Sequence, residues 1–245
     1  MKKKNKAIYL LFLMPFVYFA TACFVVWLVK TSGIYPSGSD TMYHVYRGDY
    51  VYNAIKSGNW YPLYDPAWYN GVEILRYWSP FPAYVMAFCQ YLAGGSQFGA
   101  YLFYIGGVCF LGACVWPFIG RGFNRPYLGA FIGLLWFFMP NNLCAIFIEG
   151  NLARSLSMIF LPVFIYSVYK YLYNHKLRYI PLMVFTFLLM ELCHLGYAGM
   201  VAIAVIIYGI VYIIQKGRKK AVLDVVISMI FGFMLLGIWL VASLR

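Results

Sequence analysis

Long apolar runs recur along the chain, and short polar stretches separate them. Runs of about 20 residues are long enough to cross the hydrocarbon core of a bilayer as α-helices. We therefore predict an all-α polytopic membrane protein with about seven transmembrane helices, forming a single transmembrane domain over residues 1–245. The predicted spans cover residues 7–30, 97–119, 127–148, 155–173, 179–193, 197–215 and 222–243.

One further apolar run, residues 80–93, is short enough to fit either a span or a helix lying in the outer interface. We choose the interfacial helix, because the basic loops then share one side with the N-terminal lysines, as the positive-inside rule expects. Every acidic residue except Asp224 then lies on the other side. Residues 31–96 become one long extracytoplasmic loop, rich in Tyr and Trp, in which 41–57 has helical character and lies near the lipid surface.

Composition excludes two broad classes of protein. Hydrophobic residues make up 64% of the chain and charged residues 11%, whereas a soluble domain carries about 25% charged residues and a disordered chain has low hydrophobicity. The net charge of +12 does not indicate a nucleic-acid partner, because the cations lie in short clusters between apolar runs. The six cysteines lie in or beside apolar runs without a C-x-x-C pair, which favours packing over metal binding.

The N-terminus, MKKKNK followed by an apolar run to Val29, has the charge pattern of a signal peptide. The run exceeds the 7–15 residues of a signal-peptide core. We therefore predict an uncleaved first span with a cytoplasmic N-terminus, in a multi-pass protein of the cell membrane.

The sequence S-G-S-D-T-M-Y-H at residues 37–44 places an acid where the chain leaves the first span. Asp40 can be the N-cap of a helix beginning at Thr41, a catalytic carboxylate, or both. His44 lies one turn later on the same helix face. The pair could hold a metal ion, but two ligands are weak evidence for a metal site, so we assign none.

Glu149 follows one long span and precedes another, within I-E-G-N-L-A-R-S, and Arg154 comes five residues later. An ordinary polar turn with an ion pair across it would explain these residues. Ionisable residues this close to the hydrocarbon are functional by default, which favours a site. Glu191 and His194, in M-E-L-C-H-L-G-Y, form a third polar cluster, which is either part of the site or a hydrated loop edge.

The order of several degenerate motifs resembles a known group of membrane proteins. The chain resembles the bacterial 6-pyruvoyl-tetrahydropterin synthase-related and YfhO-like membrane proteins, and more distantly the GT-C glycosyltransferases of the cell envelope. The motifs are D-T-M-Y-H at 40–44, G-N-W-Y-P at 58–62, Y-N-G-V-E at 69–73, W-S-P-F-P-A-Y at 78–84, E-G-N-L-A-R-S at 149–155 and C-H-L at 193–195.

The GT-C resemblance implies transfer of a sugar from a polyprenyl-phosphate donor to an acceptor on the outer face. Asp40 matches the first-loop acid of that family, and Glu149 matches its second acidic site. We expect Asp40 to be buried against aromatic rings and to take the acceptor proton. Arg154 or Arg76 would hold the departing phosphate. The residues expected to bind substrate are His44, Arg76, Trp78, Arg154 and His194.

Lipid-linked donor and membrane lipids are the expected partners, and no cofactor is expected; D-x-D and E-x-E are missing, so a divalent metal has no sequence support. One alternative function is a transporter or flippase of lipid-linked intermediates. That function predicts broken helices at the bilayer midplane, for which the sequence gives little sign. A second alternative function is a non-catalytic membrane module. GT-C enzymes are longer than this chain, and a truncated GT-C module would have about this length.

Overall fold

The computed structural model describes the backbone of residues 2–68 and 70–244 and the side chains of residues 12–68 and 70–241. Within these residues the chain is helical, apart from turns and one antiparallel bridge between Asp65 and Val72. The α-helices are α1 (Lys2–Ser32), α2 (Thr41–Lys56), α3 (Phe81–Leu92), α4 (Gln97–Gly122), α5 (Pro126–Leu135), α6 (Pro140–Leu143), α7 (Leu152–Asn174), α8 (Tyr179–Cys193), α9 (Leu195–Lys216), α10 (Lys219–Leu235) and α11 (Gly237–Leu244).

Among the described residues, five helical segments are long and apolar enough to cross a membrane, so the protein is a multi-pass membrane protein. They are Phe12–Ser32, Gln97–Gly122, Pro126–Ile148, Leu152–Asn174 and Leu195–Lys216. The predicted count of seven is not confirmed. Helix α8 is apolar but has 15 residues, a length of about 22 Å at the usual rise. The predicted span 222–243 is divided at Leu236 between α10 and α11.

The two helices expected between the first and second spans are confirmed as helices. The stretch 41–57 forms α2, and the stretch 80–93 forms α3. They pack closely, because a side chain at Gly48 would collide with Met86. The Gln90 side-chain amide donates a hydrogen bond of 2.6 Å to the Asp49 carboxylate.

One compact unit consists of Met1–Pro62 and Phe81–Ile159, and its core lies where α1, α4 and α5 meet. Small residues allow these helices to approach closely, as is common between helices in membranes. Gly120 and Gly129 face each other, and the Tyr18 hydroxyl donates a hydrogen bond of 2.8 Å to the Ala130 carbonyl.

The segment from Pro126 to Ile148 is an interrupted helix. After α5 it continues as a 3-10 turn (Trp136–Phe138), then α6, then a π-helical turn (Cys144–Ile148). Pro140 has no amide hydrogen for the Trp136 carbonyl, so the α-helical ladder cannot continue through it. The buried Asn142 side chain donates to that carbonyl at 2.9 Å. The expectation of few broken spans is therefore wrong here.

A second compact unit consists of Leu63–Pro80 and Phe160–Arg245. Its core consists of buried side chains of α7, α8, α9 and α10, such as Phe164, Met183 and Met190. The segment 63–80 is bound to these helices at two points. The Ser79 hydroxyl donates to the Glu191 carbonyl at 2.9 Å, and the Trp239 indole donates to the Leu75 carbonyl at 2.7 Å.

Candidate functional site

The main chains at Asp40 and Glu149, more than a hundred positions apart in the sequence, are in direct contact. The Asp40 amide donates a hydrogen bond of 3.0 Å to the Glu149 carbonyl oxygen. The Ser39 hydroxyl donates to the same oxygen, also at 3.0 Å. The structure thus brings together the start of α2 and the turn before α7, the two stretches that carry the predicted catalytic acids.

Two glycines make this contact possible. A Cβ atom at Gly38 would lie 2.5 Å from the Gly150 nitrogen, and a Cβ atom at Gly150 would lie 2.6 Å from the Thr41 nitrogen. Gly150 also has φ +67°, in the left-handed region that favours glycine. We call Gly38, Thr41 and Gly150 the glycine junction. Both glycines lie within sequence motifs, S-G-S-D at 37–40 and E-G-N-L-A-R-S at 149–155, but neither was predicted to have a role.

Thr41 in the glycine junction is fully buried, and its hydroxyl oxygen has no hydrogen-bond partner. A buried hydroxyl without a partner costs about 1–3 kcal/mol. Thr41 therefore carries an energetic cost within the glycine junction.

Asp40 occupies the N-cap position of α2, but its side chain makes no capping hydrogen bond. Its backbone angles, φ −104° and ψ −5°, are helical rather than the extended values typical of an N-cap. The carboxylate is exposed, and the Ser39 hydroxyl lies 3.3 Å from it. The predicted start of the helix at Thr41, with Asp40 at its N-cap position, is confirmed, although the side chain makes no capping bond. The expectation that Asp40 is buried against aromatic rings is wrong.

His44 lies one turn along α2 and is half-buried beside the Tyr43 ring. Arg47, which was not among the predicted site residues, comes one further turn along the helix. It is 2% exposed, and its guanidinium lies over the Tyr43 ring, 5.3 Å from the centroid. Burial lowers the pKa of Arg47. Its one signal in the sequence was a cation among the tyrosines in the first half of α2.

Glu149 forms an ion pair with Arg154, as the alternative of an ordinary polar turn predicts. Arg154 Nη1 lies 2.7 Å from Glu149 Oε2, and both side chains are only partly exposed. The π-helical turn brings Cys144 Sγ to 3.4 Å from Glu149 Oε1. The main chain of Arg154 is held by Asn151, whose side-chain oxygen accepts a hydrogen bond of 3.0 Å from the Arg154 backbone amide. A carboxylate and a guanidinium are thus held together beside the glycine junction.

Residues 75–245 match the sequence model of the 6-pyruvoyl-tetrahydropterin synthase related domain, which is described as a membrane protein. The match covers more than half of the chain. The chain belongs to this family. Neither a curated protein nor a solved structure matches it. The matched region of this PTPS-related protein includes Glu149 and Arg154, whereas Asp40 and His44 precede it.

The other predicted substrate-binding residues, Arg76, Trp78 and His194, belong to the second compact unit of the PTPS-related protein. Arg76 forms an ion pair with Glu73, and this hydrogen bond raises the pKa of Arg76. Trp78 is exposed. His194 Nδ1 accepts the Tyr197 amide at 3.0 Å, so His194 caps the start of α9.

Glu191, near the end of α8, is 2% exposed, and its Oε2 atom has no hydrogen-bond partner. The alternative that Glu191 lies at a hydrated loop edge is therefore wrong. Within residues 12–68 and 70–241, no three His, Cys, Asp or Glu side chains are grouped closely enough to hold a metal ion.

Proposed function

We propose that this PTPS-related protein is a glycosyltransferase of the GT-C type. It would transfer a sugar from a polyprenyl-phosphate donor to a hydroxyl acceptor at the outer face of the membrane. The observation that supports this function best is the contact between the Asp40 and Glu149 main chains. The contact joins an acid that opens the first loop to an acid that follows a later span, and one of them is paired with an arginine.

In the proposed reaction the acceptor oxygen attacks the anomeric carbon of the donor sugar. The bond from that carbon to the phosphate oxygen breaks, and polyprenyl phosphate leaves with the bonding electrons. The exposed Asp40 carboxylate accepts the hydroxyl proton. A phosphate leaving group needs no proton from an acid, but its charge is stabilised by a guanidinium.

Arg154 is the cation assigned to that phosphate. Its pairing with Glu149 orients the guanidinium before the donor arrives, and the hydrogen bond from its backbone amide to Asn151 holds its main chain. Glu149 thus acts as a positioning residue for Arg154. Its main-chain carbonyl accepts from the Asp40 amide, which keeps the backbone that carries the base next to the turn that carries Glu149.

The decisive measurement is the release of polyprenyl phosphate, since every acceptor gives that product. We expect the purified full chain in lipid vesicles to release it from at least one polyprenyl-phosphate hexose or pentose when an envelope extract supplies the acceptor. Release should stop when the extract is omitted. If none of the polyprenyl-phosphate hexoses and pentoses tested released polyprenyl phosphate, the proposed function would be contradicted.

The interrupted segment from Pro126 to Ile148 favours a second candidate, a transporter of lipid-linked intermediates. Discontinuous membrane helices form the substrate sites of many transporters. The same vesicles separate the two functions. A transporter would move the labelled donor from one leaflet to the other while leaving the donor intact.

The proposed transfer requires Asp40 on the outer side of the membrane and the basic loops on the cytoplasmic side. Helix α8 must then cross the membrane although it has only 15 residues. We expect Ser37→Cys to react with a membrane-impermeant maleimide in intact cells, and Lys176→Cys to react only after permeabilisation. The unmodified chain gives the background labelling of the native cysteines. The opposite pattern would place Asp40 in the cytoplasm and exclude an outer-face reaction.

A further inference from the structure

A cluster of cations lies at one end of the second compact unit. It is formed by the loop between α7 and α8 and the loop between α9 and α10, and Arg218 Nη1 contacts His175 Nε2 where these loops meet. We call it the basic cluster. Its members are all exposed: His175, Lys176, Arg178, Lys216, Arg218, Lys219 and Lys220.

The basic cluster has no acidic partner in the part of the chain that the structure describes. None of its cations lies within ion-pair distance of a carboxylate there. The nearest acid in the sequence is Asp224, and the Tyr171 hydroxyl donates to its carboxylate at 2.6 Å. Two helices, α8 and α10, also begin at this cluster with no acid in the first turn, so their positive ends add to the same potential.

The surroundings of the basic cluster are those of a membrane surface. Lys216 is the last residue of α9, one of the segments long and apolar enough to span a bilayer. Ile214 and Leu177 beside the cations are 79% and 72% exposed, so apolar side chains extend next to the charges. A lipid meets both requirements, because its head group is charged and its acyl chains are apolar.

We propose that the basic cluster binds the anionic head groups of membrane phospholipids. Arg218 and Lys216 bind the phosphate from the α9–α10 loop, and Lys176 and Arg178 bind it from the α7–α8 loop. The Arg178 guanidinium is held over the Tyr179 ring at 5.0 Å, which orients it at the edge of the cluster. This site does not depend on the proposed sugar transfer, and its test does not use that activity.

The test is native mass spectrometry of the full chain in detergent, titrated with phosphatidylglycerol or phosphatidylcholine of the same acyl chains. We expect phosphatidylglycerol to bind more tightly. The double variant Lys216→Gln with Arg218→Gln should lose about 25-fold in that preference, because each of the two cations near an anionic lipid surface contributes roughly fivefold. Arg218→Lys, which keeps the charge, should retain the preference.

The matched control is Arg121→Gln with Arg125→Gln, which removes two exposed cations from a different loop. Its lipid preference should equal that of the unmodified chain. An equal loss in this control would mean that net charge alone decides binding and would overturn the site. Displacement of phosphatidylglycerol by millimolar inorganic phosphate would also overturn it, since the cluster would then take a free anion.

Discussion

Replacing Asp40 by Asn is expected to slow the release of polyprenyl phosphate by about 10²- to 10⁴-fold, the usual contribution of a general base. Asparagine has nearly the same shape but cannot accept the acceptor's proton. The side chain of Asp40 makes no capping hydrogen bond, so the change should leave α2 intact. The measurement is the turnover number of purified Asp40→Asn in vesicles, alongside its melting temperature in detergent.

The matched control is Asp49→Asn, which changes a second acid of the same helix. Its asparagine can still accept the hydrogen bond from Gln90, so both activity and melting temperature should stay near those of the unmodified chain. Full activity of Asp40→Asn would show that another group takes the proton. Equal losses in both variants would point to the charge of α2 in general and would remove Asp40 from the base role.

Replacing Gly150 by Ala is expected to destabilise the first compact unit by about 2 kcal/mol or more. Alanine at φ +67° is strained, which costs on the order of 1–3 kcal/mol. The added methyl group would also lie 2.2 Å from the Thr41 hydroxyl oxygen and 2.6 Å from its backbone nitrogen, so main chain would have to move. The melting temperature in detergent measures the stability, and polyprenyl phosphate release measures the effect on the site.

Gly58→Ala separates strain from collision. Gly58 has φ +88°, but a Cβ atom there would meet nothing within 4 Å. This variant should therefore lose only the stability that backbone strain costs, and its rate of polyprenyl phosphate release should stay unchanged. If Gly150→Ala lost no more stability than Gly58→Ala, the tight packing of the glycine junction would be refuted.

The sequence predicted the helices well because a bilayer leaves few alternatives. A backbone in lipid must satisfy its own hydrogen bonds, so each long apolar run becomes a helix. The short runs were harder to interpret. The apolar pattern of α8 resembles that of a span, but its 15 residues are marginal for one. The break at Pro140 could be predicted from the proline itself. The hydrogen bond from the Asn142 side chain to the Trp136 carbonyl could not.

The candidate site was predictable in its residues and not in its geometry. The position of Glu149 between two spans, with Arg154 five residues later, left an ion pair across an ordinary turn as one alternative, and the structure has that ion pair. The contact between Asp40 and Glu149 depends on two glycines that have no signal of their own in a single sequence. The exposure of Asp40 was missed because nearby aromatic residues in the sequence do not determine which way a side chain points.

The break at Pro140 has a mechanical consequence for the site. An intact helix resists bending through hydrogen bonds that link successive turns, and here one of those links is a side chain rather than the main chain. Tilting the piece from Pro140 to Ile148 therefore costs less than bending a continuous helix. Glu149, at the end of that piece, stays bound to the Asp40 amide and to Arg154, so a bend at the break lets α5 pack against α1 and α4 without passing strain to the site.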